Sequence, residues 1–437
     1  MFKTLRDAFK IKDLRNRILY TFLMMLVVVR IGSLLPIPGV DTTYFSTLFS
    51  SSDAFEFMNA FTGGSFLSMS VFALSITPYI TSSIIMQLMT IAIPKLEEMQ
   101  KEGEEGRKKI AEFTRYLTVA LALIESTAMA VGFGGQGLIK GYASMSSFVR
   151  VWSIIVIIVT LTAGSAMLMW IGERITEKGV GNGISIVLLF NIVSRIPEDI
   201  VTLFNNFVLS TDGARGVLAA VIIIAVIVAV VVLVCILQGG VRKIPVQYSQ
   251  KMVGRKSAGG QQSVIPLRVN TAGVIPVIFA SSLMSTPVII AQFFSASGAE
   301  WARYLSSSYW CNPQYPKYSI GLLLYIVLIV FFAYFYTSIT FNPLEIANNM
   351  KKSGGFIPGI RPGKPTSDYL NKMLNYIIFI GAVGLIIVAV IPIFFSGVFK
   401  ASVSFGGTSI IIIVGVILET MQQIESKLVV RNYKGFL

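Results

Sequence analysis

Residues 215–238 read RGVLAAVIIIAVIVAVVVLVCILQ, and after Arg215 they carry no charge for 23 positions. A helix rises 1.5 Å per residue, so about 20 apolar residues cross the roughly 30 Å of bilayer hydrocarbon. This stretch is therefore read as a membrane span. Similar runs lie at 18–35, 74–93, 115–134, 151–171, 183–204, 271–294, 318–340, 373–395 and 406–426. That makes ten spans in 437 residues, and an even number places both ends on one side. The composition agrees. Apolar residues make up 54% and charged residues 13%, about half the charged share usual in a soluble domain. So much apolar surface has to be covered by lipid.

The basic residues choose the side. Of 36 Lys and Arg, 28 lie in the amino end, the tail and the junctions after spans 2, 4, 6 and 8, whereas 36–70 has none. By the positive-inside rule, those junctions and both termini are cytoplasmic. The amino end does not read as a cleaved signal, because its basic stretch is too long and no small-residue cleavage site follows span 1. Cys235 within span 6 and Cys311 in an outer loop lie too far apart in the topology to suggest a disulfide. The net charge of +14 belongs to this distribution rather than to a soluble nucleic-acid binder.

Several chemistries are excluded. Histidine is absent, which removes Ser-His and Cys-His nucleophile systems and His-containing metal sites. The segment 359–366, GIRPGKPT, fails as a phosphate loop because Pro358 stands where the first Gly is needed and Pro365 interrupts the Lys–Thr pair. GVGNG at 179–183 follows no strand and is no dinucleotide fingerprint. Charges inside spans are few and include Arg30, Glu125 and Glu419 near the end of span 10. Such residues usually face the protein interior. No enzyme and no cofactor is implied, and any driving force comes from a partner or a gradient.

Spans 1–5 and 6–10 are joined by an outer segment near 205–216. Five spans per half bring the second half into the membrane from the opposite side, the arithmetic of an inverted repeat around a central pathway. Residues 57–70 (FMNAFTGGSFLSMS) are too short and polar to cross and are broken by Gly63 and Gly64. They read as a re-entrant element or as an amphipathic outer loop. Two long basic loops, 239–269 and 341–371, are dense in Gly and Pro. Loops of that length usually carry function or are disordered. Each is read as a topology signal or as a docking surface for something acidic.

Particular segments then carry a resemblance: FTGGS (61–65), PYITSSIIMQL (78–88), KEGEEGRKK (101–109), TEKGVGNGIS (176–185), PLRVNTAGVIPVIFASS (266–282), FNP (341–343), KSGGFIPGIRPGKP (352–365) and FGGTS (405–409). Through them the chain resembles the SecY/Sec61-α family of protein-translocation channels over essentially its whole length. The resemblance implies an all-α polytopic membrane protein whose ten transmembrane helices form two pseudo-symmetric, inverted five-helix halves around a central pore. The halves would be 1–204 and 217–437, with 205–216 as hinge.

The resemblance also implies site residues. A half-helix plug falls on Phe61, Thr62, Gly63, Gly64, Ser65, Phe66, Leu67, Ser68, Met69 and Ser70. The pore ring falls on Ile80, Ile84, Ile184, Leu188, Ile278 and Ile412. A lateral gate lies between spans 2 and 3 and spans 7 and 8, with polar positions Gln87, Glu125 and Asn270. Motor or ribosome contacts fall on Arg242, Lys243, Arg255, Lys256, Arg361 and Lys364. Depth provides an independent check on the ring. Ile84 lies ten residues before Pro94, Leu188 ten past Lys178 and Ile278 eight past Asn270, all about 12–15 Å from the cytoplasmic ends.

The implied partners are SecE-like and SecG-like small membrane subunits, the SecA motor ATPase, the ribosome with its RNA, signal sequences and nascent polypeptide, and anionic lipids. The rival function is a secondary transporter for a small solute. That would need a polar substrate cage at broken helices in mid-membrane, where this chain places aliphatic residues.

Overall fold

The computed structural model describes residues 2–43, 59, 62–205, 213–248, 252–253, 256–257, 262–294, 300–399 and 407–433. Each apolar run coincides with a helix. Span 1 is Lys12–Leu34, with a π-helical stretch at Met24–Val29. Spans 2 to 5 are Thr77–Ala92, Glu104–Phe133, Ser147–Lys178 and Gly183–Phe204. Spans 6 to 10 are Gly213–Gly239, Ile275–Phe294, Ile320–Thr340, Lys364–Phe399 and Gly407–Tyr433.

Among the described residues, seven of these helices are long and apolar enough to cross a membrane, and an eighth if span 2 is joined to the helix after it. Span 5 is left out by composition, since Arg195, Glu198 and Asp199 cluster beyond its midpoint. Span 7, Ile275–Phe294, holds 20 uncharged residues.

Several helices outrun their apolar runs because polar turns extend them into water. Span 3 begins at Glu104, where Glu104 and Glu105 favour the positive helix start and pair with Lys108 and Lys109 one turn on. Span 2 ends at Ile93, where Pro94 turns the chain through 106° into the short helix Pro94–Lys101.

Spans 2–3, 3–4 and 4–5 pack as neighbours, and so do 7–8, 8–9 and 9–10, five positions later. Span 5 also packs on span 10, and span 3 on span 7. Helices approach most closely at glycines. A Cβ on Gly183 would lie 1.9 Å from the Gly172 carbonyl, so spans 4 and 5 touch backbone to backbone. Both described ends lie on one side, where Ala8 and Leu14 pack with Met421 and Ile424.

The two basic loops depart from the turn-rich reading. They share a sheet. Strand β1 (Val241–Tyr248) pairs with β4 (Gln262–Arg268) in an antiparallel hairpin, with the small β2 (Met252–Val253) and β3 (Lys256–Ser257) towards its tip. Strand β5 (Gly355–Phe356) from the second loop joins the other edge of β1. Ile244, Val246 and Leu267 bury one face against Met350, Ile357, Leu370 and Leu374. Of the hinge 205–216, residues 206–212 lie outside the described residues, and 213–216 already belong to span 6. Cys235 and Cys311 are free thiols.

Candidate functional site

The turn between spans 4 and 5 shows how the sequence aims the central residues. Gly181 takes φ +83°, which favours Gly, and Asn182 caps span 5 by accepting from the Ile184 N–H at 3.2 Å. The Thr21 hydroxyl of span 1 accepts from the Val180 N–H at 3.1 Å and holds the turn from outside. Ile184 and Leu188 then point one turn apart into the middle of the molecule. Span 7 brings Ile278 in its first turn, and span 10 brings Ile412.

Ile80, Ile184, Leu188, Ile278 and Ile412 meet in one apolar cluster with Met25, Val29, Phe72, Ile76, Leu168 and Ile171. Leu188, Ile278 and Ile412 are 6%, 8% and 1% exposed. Side chains lining an open aqueous passage would be wet, and these three are not. Ile84 lies one turn from Ile80, half-buried and outside the cluster.

Residues 62–70 pack beside this cluster, on the side away from the termini. They form consecutive turns rather than the half-helix expected, because Gly63 and Gly64 take φ +66° and +88° and Met69 takes φ +43°. Asn59 organises them: its Oδ1 accepts from the Leu67 N–H at 3.3 Å and its carbonyl from the Gly64 N–H at 3.0 Å. The Thr62 hydroxyl accepts from the Phe66 N–H at 3.1 Å. Thr62, Ser65, Phe66, Met69 and Ser70 are buried, Gly63, Gly64 and Leu67 half-buried, and Ser68 exposed. Phe66 and Met69 lie in an apolar cluster with Met129, Phe133, Leu138 and Ile157. Phe61 lies outside the described residues.

Close backbone contacts fix where the segment leaves. A Cβ on Gly164 of span 4 would meet the Val71 carbonyl at 2.0 Å, and one on Gly32 of span 1 the Phe72 ring at 2.0 Å. The Ile37 N–H donates to the Met69 carbonyl at 3.0 Å, and the Val71 N–H to Leu35 at 2.9 Å.

The three polar gate positions are not brought into mutual contact. Gln87 donates to Ser83 on its own helix at 3.4 Å. Asn270 is buried and donates to the Gly273 carbonyl at 2.9 Å, closing the turn into span 7 where Gly273 has φ +64°. Glu125 is half-buried in span 3 and makes no hydrogen bond to a described residue.

The basic positions are held out on order. Arg242 and Lys243 are exposed on β1. Arg361 and Lys364 are exposed on a turn pinned by Thr366, whose hydroxyl donates to the Arg361 carbonyl at 2.8 Å. Asn342 and Pro343 start the helix Pro343–Lys352 as cap and first residue, with Asn342 accepting from Leu344 and Glu345. Lys256 lies on β3, and Arg255 lies outside the described residues. Arg268 of β4 donates to Gln422 of span 10 at 2.8 Å, tying the sheet to the ring-bearing helix.

Reading the sequence alone overlooks Asn191 and Ser75. Asn191 Nδ2 donates to Ser75 Oγ at 3.0 Å, with both residues buried. The available signal is an amide three residues past Leu188 in an otherwise aliphatic stretch.

Comparison with known proteins gives consistent matches. The SecY family model matches residues 70–421. The chain is 44% identical to the protein translocase subunit SecY of Streptomyces scabiei, over 98% of each chain. It is 43% identical to the protein of that name from Bacillus subtilis, over the full length of both. Among solved structures it is similar to one described as the structure of a protein conducting channel, with TM-score 0.64 and 20% identity, covering 94% of this chain and 92% of that one. It is also similar to Sec61 in a canine ribosome–channel complex from the endoplasmic reticulum, with TM-score 0.63, 19% identity and the same coverage. At these identities the structures show the fold.

Proposed function

The chain belongs to the SecY family, and from that membership we propose that it is a protein-conducting channel. It passes unfolded secretory polypeptide across the membrane and releases hydrophobic segments sideways into lipid. The observation that carries this is the buried aliphatic constriction, with the Gly-broken segment 62–70 seated against it. An apolar constriction stops ions by dewetting, yet it parts for a chain because no specific bonds have to break.

The pore ring comprises Ile80, Ile84, Ile184, Leu188, Ile278 and Ile412, and the plug is 61–70. Spans 2 and 3 face spans 7 and 8 across the lateral gate, a reading supported by the packing of span 3 on span 7. The halves are 1–204 and 217–437, supported by the repeat of helix neighbours after five spans. Both termini are cytoplasmic, in the cytoplasmic membrane of a bacterium, as the basic distribution favours.

A SecE-like subunit clamps the halves and a SecG-like subunit accompanies them. The force comes from a SecA-like ATPase or a translating ribosome acting on the exposed basic sheet and the Arg361 turn. Signal sequences and nascent chains are the cargo, and anionic lipids suit the basic face.

The test is reconstitution of the chain with its small subunits and a SecA ATPase in vesicles. ATP-dependent protection of a preprotein from added protease is expected. Protection that is no greater than in vesicles lacking the chain would overturn the reading.

A further inference from the structure

We propose that Asn191 is a positioning residue that latches the 62–76 segment shut through Ser75, and so sets how stringently the channel selects its cargo. This rests on the reading of 61–70 as the plug, with 71–76 as its connection to span 2.

Three observations converge on one face of span 5, one turn beyond Leu188. Asn191 donates its side-chain N–H to Ser75 Oγ at 3.0 Å in a buried setting. The carbonyl of Asn191 and the hydroxyl of Ser194 crowd Gly63, where a Cβ would lie 2.9 and 3.0 Å away. The same two groups are joined, Ser194 Oγ donating to Asn191 O at 2.8 Å. A single turn of span 5 therefore touches the plug near its start, at Gly63, and its connection to span 2, at Ser75.

Ser75 itself has φ +52°, a left-handed conformation that residues with a Cβ adopt at a cost and keep only where the surroundings impose it. Phe72, three residues earlier, wedges its ring against Gly32 and packs in the ring cluster. The exit of the plug is thus a strained backbone beside the seal, tied by the Asn191–Ser75 bond together with the backbone bonds to Leu35 and Ile37. Such an element has two natural states: bonded and shut, or relaxed and displaced.

Loss of one interhelical hydrogen bond in a membrane protein shifts a two-state balance about three- to fifteen-fold. The experiment compares the wild type, Asn191→Leu, Ser75→Ala, their double variant and a deletion of 62–69, each with its small subunits in proteoliposomes. Two quantities are read: resting ion leak, and translocation of a preprotein with a defective signal relative to an intact one. Each single variant is expected to raise both by about three- to fifteen-fold, and the double variant by no more than either single, because both singles remove one interaction. Asn191→Gln, which retains the donor, is expected to restore part of the stringency.

If the deletion raises leak while Asn191→Leu and Ser75→Ala leave both quantities unchanged, the latch is wrong and the plug stands. If the deletion itself leaves leak unchanged, the plug reading fails and the latch with it. Multiplying effects in the double variant would also overturn the latch. Should Asn191→Leu fail to accumulate, Ser75→Ala reads the same bond from its other end.

Discussion

Ile278 and Ile412 come from helices more than a hundred residues apart in sequence, yet their side chains meet in one cluster with Leu188 and Ile184. Replacing either with Asn places an amide among aliphatic groups that offer it no partner, at a cost of about 1–3 kcal/mol unless water enters. Water entering is the functional event. Ile278→Asn and Ile412→Asn are therefore expected to raise resting ion leak about tenfold, since about 1.4 kcal/mol is a tenfold change in an equilibrium, and to admit preproteins with defective signals. Conductance and export assays check this, and wild-type values in both would remove these residues from the seal. At this scale the sequence was legible only through family motifs. An Ile in a membrane span has no chemistry of its own to mark it, and its partners come from four different helices. Asn191 and Ser75 escaped because their bond joins positions 116 residues apart, and neither residue lies in a motif that suggests it. The gate amides show the converse. Gln87 and Asn270 were singled out through the family resemblance, but their bonds are local.

The ten apolar runs give the helices because a long and mostly uncharged run has few alternatives in lipid. Helix ends were harder to place. Spans 3, 4 and 9 continue past their apolar runs in amphipathic turns that water tolerates. The basic loops were the largest departure, since Gly and Pro signals concealed a sheet. Strand β1 carries Pro245, and its alternation of buried Ile244 and Val246 with exposed neighbours is only a few residues long. Strand β5 is two residues long and needs Gly355, where a Cβ would press on the Tyr248 ring at 2.8 Å. This ordering gives the Arg361 turn a definite place. A planar guanidinium can hold a phosphate or carboxylate with two bonds, whereas a Lys ammonium acts as a point charge. Arg361→Lys is therefore expected to leave membrane insertion of the protein itself intact and to slow driven translocation severalfold. Arg361→Glu is expected to nearly abolish it. ATP-driven translocation assays at matched expression check this, and normal transport by the Glu variant would free the turn from any role in coupling.

Across the whole molecule, neighbouring helices in the first five spans recur as neighbours in the second five, and spans 5–10 and 3–7 form seams between them. The aliphatic constriction lies between these two sets of helices, with contributions from spans 2, 5, 7 and 10. The Arg268–Gln422 bond runs from the basic sheet to span 10, on which Ile412 lies ten residues, or about 15 Å of helical rise, from Gln422. The central claim is that polypeptide passes through this constriction. It is tested most directly by placing a photo-crosslinking side chain at Leu188, Ile278 or Ile412, one at a time, and arresting a preprotein halfway across. Crosslinks are expected from all three positions to the same short segment of the arrested chain. Crosslinks from none of them, with the preprotein still arrested in the membrane, would contradict it.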